Sequence, residues 1–218
     1  MTPLKTEHLI EKLTSDGSSV RRLAPPLVRA TIWLAGFAIV AAAAVWVLGR
    51  IPEMVGRLQD PRFALEMLGT VLTGVFAVGA AFCLSLPDRS RLWLLTPLPA
   101  LLLWLSMSGY GCYRDLLAHG AAGWTQGASA MCFGFIVGLG LPTALALYFP
   151  LRRAAPVNPV PALASAGLGV AALSAALLQF FHPPDVTVLD LVTHVFAVLT
   201  VVMVTMAIGR SGMARAAG

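Results

Sequence analysis

Three cysteines, Cys83, Cys112 and Cys132, together with His119, His182 and His194, are the side chains in this sequence with the widest chemical reach. Thiolate and imidazole ligate soft and borderline metals such as copper(I), zinc and cadmium, and two exposed thiols can instead oxidise to a disulfide. The spacings choose neither. No C-x-x-C occurs, so zinc-finger and thioredoxin-type motifs are excluded and any cysteine chemistry has to come from tertiary proximity. Asp190 and His194 stand at i and i+4 in an apolar run and therefore share one helix face. Ionisable groups at membrane depth are costly and point to function by default. Blander roles compete: each cysteine as a small apolar filler, and Asp190 with His194 as an interhelical hydrogen bond that fixes packing.

Enzymatic chemistry finds no support. Ser108 and His194, in two different apolar runs, are raw material for an intramembrane serine protease, but Ser106-Met107-Ser108-Gly109 lacks G-x-S-G and Ser108 falls at a helix end. There is no P-loop, dinucleotide fingerprint or H-E-x-x-H. A transporter would place polar groups near the midplane, whereas the span centres here read as almost wholly apolar.

What must position these residues is a membrane bundle. Apolar residues make up 58% of the 218 and charged residues 11%, with a mean hydropathy of +0.81, far from the balance of a soluble domain. Hydrophobic stretches of about 20 residues recur, each long enough to cross a bilayer. They are expected at Leu27–Gly49, Ala64–Leu86, Leu92–Gly109, Ala128–Phe149, Val160–Phe181 and Val186–Ile208. The first begins too late and runs too long for a cleaved signal peptide. Between the first two lies the loop Arg50–Phe63; Pro87-Asp88-Arg89-Ser90-Arg91 turns into the third, where Pro97 and Pro99 are expected to kink the helix. The polar stretch Tyr110–Gly127 is the longest interior connection and has room for a short interfacial helix. Gly134, Gly138, Gly167, Ala171 and Ala175 are candidates for close helix approach. The fold class is all-α: six transmembrane helices (27–208) between a cytoplasmic N-terminal segment (1–26) and a short cytoplasmic tail (209–218).

The basic residues orient this bundle. Lys5, Lys12, Arg21, Arg22, Arg29, Arg89, Arg91, Arg152, Arg153, Arg210 and Arg215 fall on one side, eleven against Arg50, Arg57, Arg62 and Arg114, four on the other. The positive-inside rule then puts both termini in the cytoplasm. The net charge of +5 is thus a topology signal; its residues are too scattered for direct nucleic-acid binding. On this orientation Cys112, His119, Cys132, His182, Asp185, Asp190 and His194 lie on or near the outer side and Cys83 near the inner side.

In the N-terminal segment, Thr2-Pro3 has the form of a helix start, Leu9, Ile10 and Leu13 share a face, and Asp16-Gly17 is a stop. Such a short amphipathic helix needs a partner or membrane lipid to cover its stripe. The mixed charges Glu7, Glu11, Lys12 and Asp16 favour a protein groove over lipid headgroups.

Several segments carry a resemblance: Val20-Arg21-Arg22-Leu23-Ala24-Pro25-Pro26, Asp60-Pro61-Arg62-Phe63, Leu86-Pro87-Asp88-Arg89-Ser90-Arg91, Gly109-Tyr110-Gly111-Cys112-Tyr113-Arg114-Asp115, Cys132-Phe133 and Phe181-His182-Pro183-Pro184-Asp185. In this order along nearly the whole chain they resemble the NrsF family of bacterial inner-membrane anti-sigma factors, which have six spans and pair with extracytoplasmic-function sigma factors. The resemblance implies that the cytoplasmic segment, with Leu9, Ile10, Leu13, Arg21 and Arg22, holds a sigma factor until heavy metal or oxidative stress acts on outer-face cysteines. Cys132 matches one sensing cysteine by position. Family members often have a second in the following turn, which here reads His182-Pro183-Pro184-Asp185. That departure favours a signal-metal site of Cys112, Cys132, His182 and His194, flanked by Asp185 and Asp190, over a disulfide, although Cys112 and Cys132 can still pair. No resident cofactor is expected. The competing class is a small transporter or an assembly factor with no sigma partner.

Overall fold

A computed structural model describes residues 6–15, 17, 22–49, 51–120, 129–181 and 188–216, and all regular structure among them is helical. The helices are α1 (Thr6–Ser15), α2 (Pro26–Leu48), α3 (Ile51–Arg57), α4 (Pro61–Leu84), α5 (Leu98–His119), α6 (Ser129–Arg152), α7 (Pro159–Leu178) and α8 (Val188–Ala216), with a 3-10 segment, Arg91–Leu95, before α5. Six segments, built on α2, α4, α5, α6, α7 and α8, are long and apolar enough to cross a membrane.

The ends of these helices follow local chemistry more closely than hydropathy does. The expected loop Arg50–Phe63 contains α3 and the start of α4, because Asp60 caps that helix: its Oδ1 accepts from the Arg62 backbone N–H at 3.0 Å, and Pro61 takes the first turn. Pro97 and Pro99 do not kink the third span. They open α5, where a missing N–H costs no helical bond, and the residues before them form the separate 3-10 segment. Nor is Tyr110–Gly127 one long connection. α5 continues as regular helix to His119 and stops at Gly120, whose φ of 58° suits a residue without a Cβ. Residues 121–128 lie outside the described residues, as does the Thr2-Pro3 cap.

α4 and α7 form the centre. α4 packs on α7, α5 and α2; α7 packs also on α6 and α8, and α6 on α8. Lipid tails are as apolar as leucine, so close fit and internal hydrogen bonds have to hold such a bundle. Close fit is visible where glycines meet: a Cβ at Gly169 would lie 3.0 Å from the Val78 backbone nitrogen and 3.2 Å from the Gly74 oxygen, and one at Gly69 would lie 2.8 Å from the Trp104 nitrogen. Of the glycines read as contact points, Gly167 does face a neighbour, the Val202 backbone of α8, but Gly134 and Gly138 meet nothing; in α6 it is Gly140 that lies against Val201. Buried hydroxyls bond back to their own helices, Thr70 to Glu66 and Thr73 to Gly69, both at 2.7 Å, and so satisfy their own donors in the apolar centre.

α2 stands apart. Only Pro26 and Ala30 are buried in it, while Ile39, Val40 and Trp46 are exposed at 70% or more. Its firmest tie to the bundle is Arg29, which donates to the Pro150 carbonyl of α6 and lies over the Phe82 ring of α4, 5.1 Å from its centroid. α1, ten residues or nearly three turns long, precedes it, with Leu9 and Ile10 exposed.

Candidate functional site

The polar residues inside the bundle collect where α4, α5 and α8 approach one another. Glu66, one turn after Arg62 on α4, is buried. Its Oε1 accepts from the Ser108 hydroxyl of α5 at 2.7 Å, and its Oε2 lies 3.4 Å from Arg62 Nη1. The guanidinium of Arg62 rests on Gly111, where any side chain would collide with it. Ser108 and Cys112, four apart on α5, present one face to this pair. Just outside, Arg57 of α3 donates to the Gln179 backbone oxygen at 3.0 Å and to its Oε1 at 3.1 Å, with its guanidinium 4.1 Å from the Phe63 centroid. Burial there lowers the pKa of Arg57 from its usual value.

Cys112 is buried beside this cluster, within electrostatic reach of Glu66, Asp115, Asp190 and Arg62. Cys132, on α6, is fully buried in the hydrophobic core and likewise within reach of Asp190. Asp190, 1% exposed in the first turn of α8, is thus the acidic residue nearest in common to both thiols. His194 follows one turn later. Its Nδ1 lies 2.6 Å from the Asp190 backbone oxygen, a contact within one helix. Cys83 lies in the last turn of α4, buried at the far end of that helix from Glu66.

None of the three cysteines is in a disulfide. Among the described residues no three His, Cys, Asp or Glu side chains converge to hold a metal ion. His182 and Asp185 lie outside the described residues, as do Arg21 and the side chains of Leu13 and His119. Of the N-terminal candidates, Leu9, Ile10 and Arg22 are all exposed.

Glu66 was not among the residues that sequence reasoning singled out. Its signal was present: a lone acid inside an apolar stretch, four residues after an arginine, is a membrane-depth ion pair in waiting. The reading of the span centres as almost wholly apolar overlooked it, together with the partner it has in Ser108.

These features define a polytopic helical membrane protein whose buried polar residues lie beside two of its thiols. The family model NrsF, negative regulator of sigma F, matches residues 13–213, and the chain belongs to that family. It is therefore a negative regulator of a sigma factor, in a family of regulators and not of enzymes. No curated protein and no solved structure matches it.

Proposed function

We propose that this protein is an anti-sigma factor of the bacterial inner membrane. Residues 1–26, on the cytoplasmic side with the C-terminal tail, hold an extracytoplasmic-function sigma factor away from RNA polymerase through Leu9, Ile10, Leu13, Arg21 and Arg22. The family match carries this reading, since it supplies the sigma partner that the transporter and assembly-factor alternatives lack. The exposure of Leu9 and Ile10 supports it, because a free apolar stripe of this size suits a protein groove.

Sensing is assigned to Cys112 and Cys132 around Asp190, with His194, His182 and Asp185 as further outer-face groups. The signal is a soft metal ion such as copper, zinc or cadmium, or a thiol oxidant. Among the described residues no three donors form a ready set, and metal ligation acts by drawing the helices that bear these donors together. A signal switches a protein only by favouring one arrangement over another, and about 1.4 kcal/mol of such preference changes sigma release tenfold.

The test is co-purification of the sigma factor with Leu9→Asp/Leu13→Asp protein, paired with a sigma-dependent reporter in Cys132→Ser and Cys83→Ser cells. The double aspartate variant is expected to lose the sigma factor and raise the reporter at unchanged abundance. Cys132→Ser is expected to abolish or lock the response to copper, cadmium and oxidant, and Cys83→Ser to leave it intact. Retention of the sigma factor by the double variant refutes the binding segment. A normal response in Cys132→Ser makes that cysteine a packing residue.

A further inference from the structure

α5 packs mainly on α4, and α8 on α7 and α6, so α5 and α8 stand apart across a cavity of about 410 Å³ floored by α4 and α7. Leu98 and Leu105 of α5 and Val195 and Leu199 of α8 form its rim and are each at least 40% exposed, so it opens sideways, toward where lipid lies. It is long and narrow. Asp190 and Val202 both line it and, at 1.5 Å per residue, are about 18 Å apart along α8. Spread over that length, its volume leaves a channel about 5 Å across. A helix with its side chains is about 10–12 Å wide and does not enter such a channel. An unbranched hydrocarbon chain is a single methylene wide and does.

The lining shows what has to hold the occupant. Its ionisable and amide side chains, gathered toward one end, are already engaged within the protein: Glu66 by Ser108 and Arg62, Gln179 by Arg57, and His194 by the Asp190 backbone. Asp190 is likewise engaged. That end therefore selects no head group, and the fit comes from the apolar walls. A chain gains no hydrophobic free energy by leaving the bilayer, because lipid tails are as apolar as leucine. It gains contact instead: a narrow groove surrounds a chain of matching width with dispersion partners along its whole length. A chain with methyl branches overfills the same groove and loses that gain.

We propose that the slot between α5 and α8 binds one unbranched acyl chain of a membrane phospholipid, which enters from the side between Leu105 and Val195 and lies against Leu101, Trp104 and Val198. The chain is chosen by its width, and the lipid's head group is not read. The site is distinct from the sigma-binding segment and does not depend on it.

The test uses the full-length protein with no sigma factor present, so that its outcome is independent of the regulatory reading. Nanodiscs are built from branched-chain diphytanoyl phosphatidylcholine with a small fraction of phosphatidylcholine whose palmitoyl chain bears a diazirine, and photolabelled positions are mapped by mass spectrometry. Ile39 of α2, 71% exposed, reports ordinary contact with bulk lipid. Labelling of Trp104 and Val198 is expected to exceed that of Ile39 by about tenfold or more, the discrimination that one overfilling methyl group allows. Unlabelled dipalmitoyl phosphatidylcholine should compete it away, further diphytanoyl lipid should not, and a labelled phosphatidylglycerol should give the same pattern. Leu199→Trp and, separately, Val195→Trp fill the slot from its lipid-facing rim and should each abolish labelling of Trp104 and Val198 while leaving that of Ile39. Equal competition by the branched lipid would overturn selection by width, and a preference for one head group would overturn the reading of the polar end. Labelling of Trp104 no stronger than that of Ile39, labelling that survives both tryptophan substitutions, or photoproducts that join two copies of the chain at these positions would overturn the site.

Discussion

α2 and α4 are nearly the same object as sequences, 23 and 24 residues of predominantly apolar helix, each opened by a proline. Their fates differ completely: α4 is central and largely buried, and α2 lies on the outside. Small residues do not explain this, because α2 has Gly36 and the run Ala41-Ala42-Ala43-Ala44 and still Gly36 meets nothing. What α4 has in addition is a carboxyl group that needs partners where water is absent, and Ser108 supplies one of them from α5. The polar tie of α2 follows the same rule, for it is made by Arg29, beside the partly buried Trp33, Leu34 and Phe37. Hydropathy puts a helix into the bilayer; polar groups decide which neighbours it keeps.

If that rule holds, Glu66→Leu should be the most damaging of three substitutions, because it takes from Arg62 its buried acidic partner, leaving only Asp60 at 3.8 Å, and removes the acceptor for Ser108. A loss of about 3 kcal/mol is expected for breaking such a pair, read as unfolding in bicelles. A loss below that of Arg29→Ala would show that glycine contacts alone hold α4 in place. Arg29→Ala removes one charge-assisted hydrogen bond and one ring contact, and about 1–2 kcal/mol is expected. Cross-linking between engineered cysteines on α2 and α6 should fall markedly in that variant while the melting of the bundle shifts only slightly; unchanged cross-linking would mean that α2 is held by something other than Arg29. Ile39→Ala should change stability by no more than about 0.5 kcal/mol, since Ile39 is exposed and lipid covers either residue equally. A larger loss would reveal a protein partner on the open face of α2.

The sequence makes the spans legible almost to the residue where the flanks are polar: Val160–Phe181 was expected and Pro159–Leu178 is helical. It is less legible where a cap or a helical continuation competes with polarity, as at Asp60-Pro61 and at Arg114-Asp115, because helix geometry persists past the point where the side chains turn hydrophilic. The thiols and the Asp190–His194 face could be read from spacing. That Asp190 lies near both Cys112 and Cys132, and that Glu66 finds Ser108 across a helix boundary, could not, since neither spacing nor hydropathy says which face of one helix meets another. The same limit explains Gly134 and Gly138, which have the right spacing on a face that no helix approaches.

The sparse attachment of α2 also has a meaning in time. Ribosomes make a chain from its N-terminal side onward, so residues 1–26 and the helix that anchors them exist before α4 has been synthesised. Because only Pro26 and Ala30 of α2 are fully buried, and Trp33, Leu34 and Phe37 only in part, it depends little on later helices to take up its place. On the proposed function, a nascent chain can capture its partner as soon as α2 enters the membrane, and the part that responds to a signal arrives afterwards. Silencing precedes the means of lifting it.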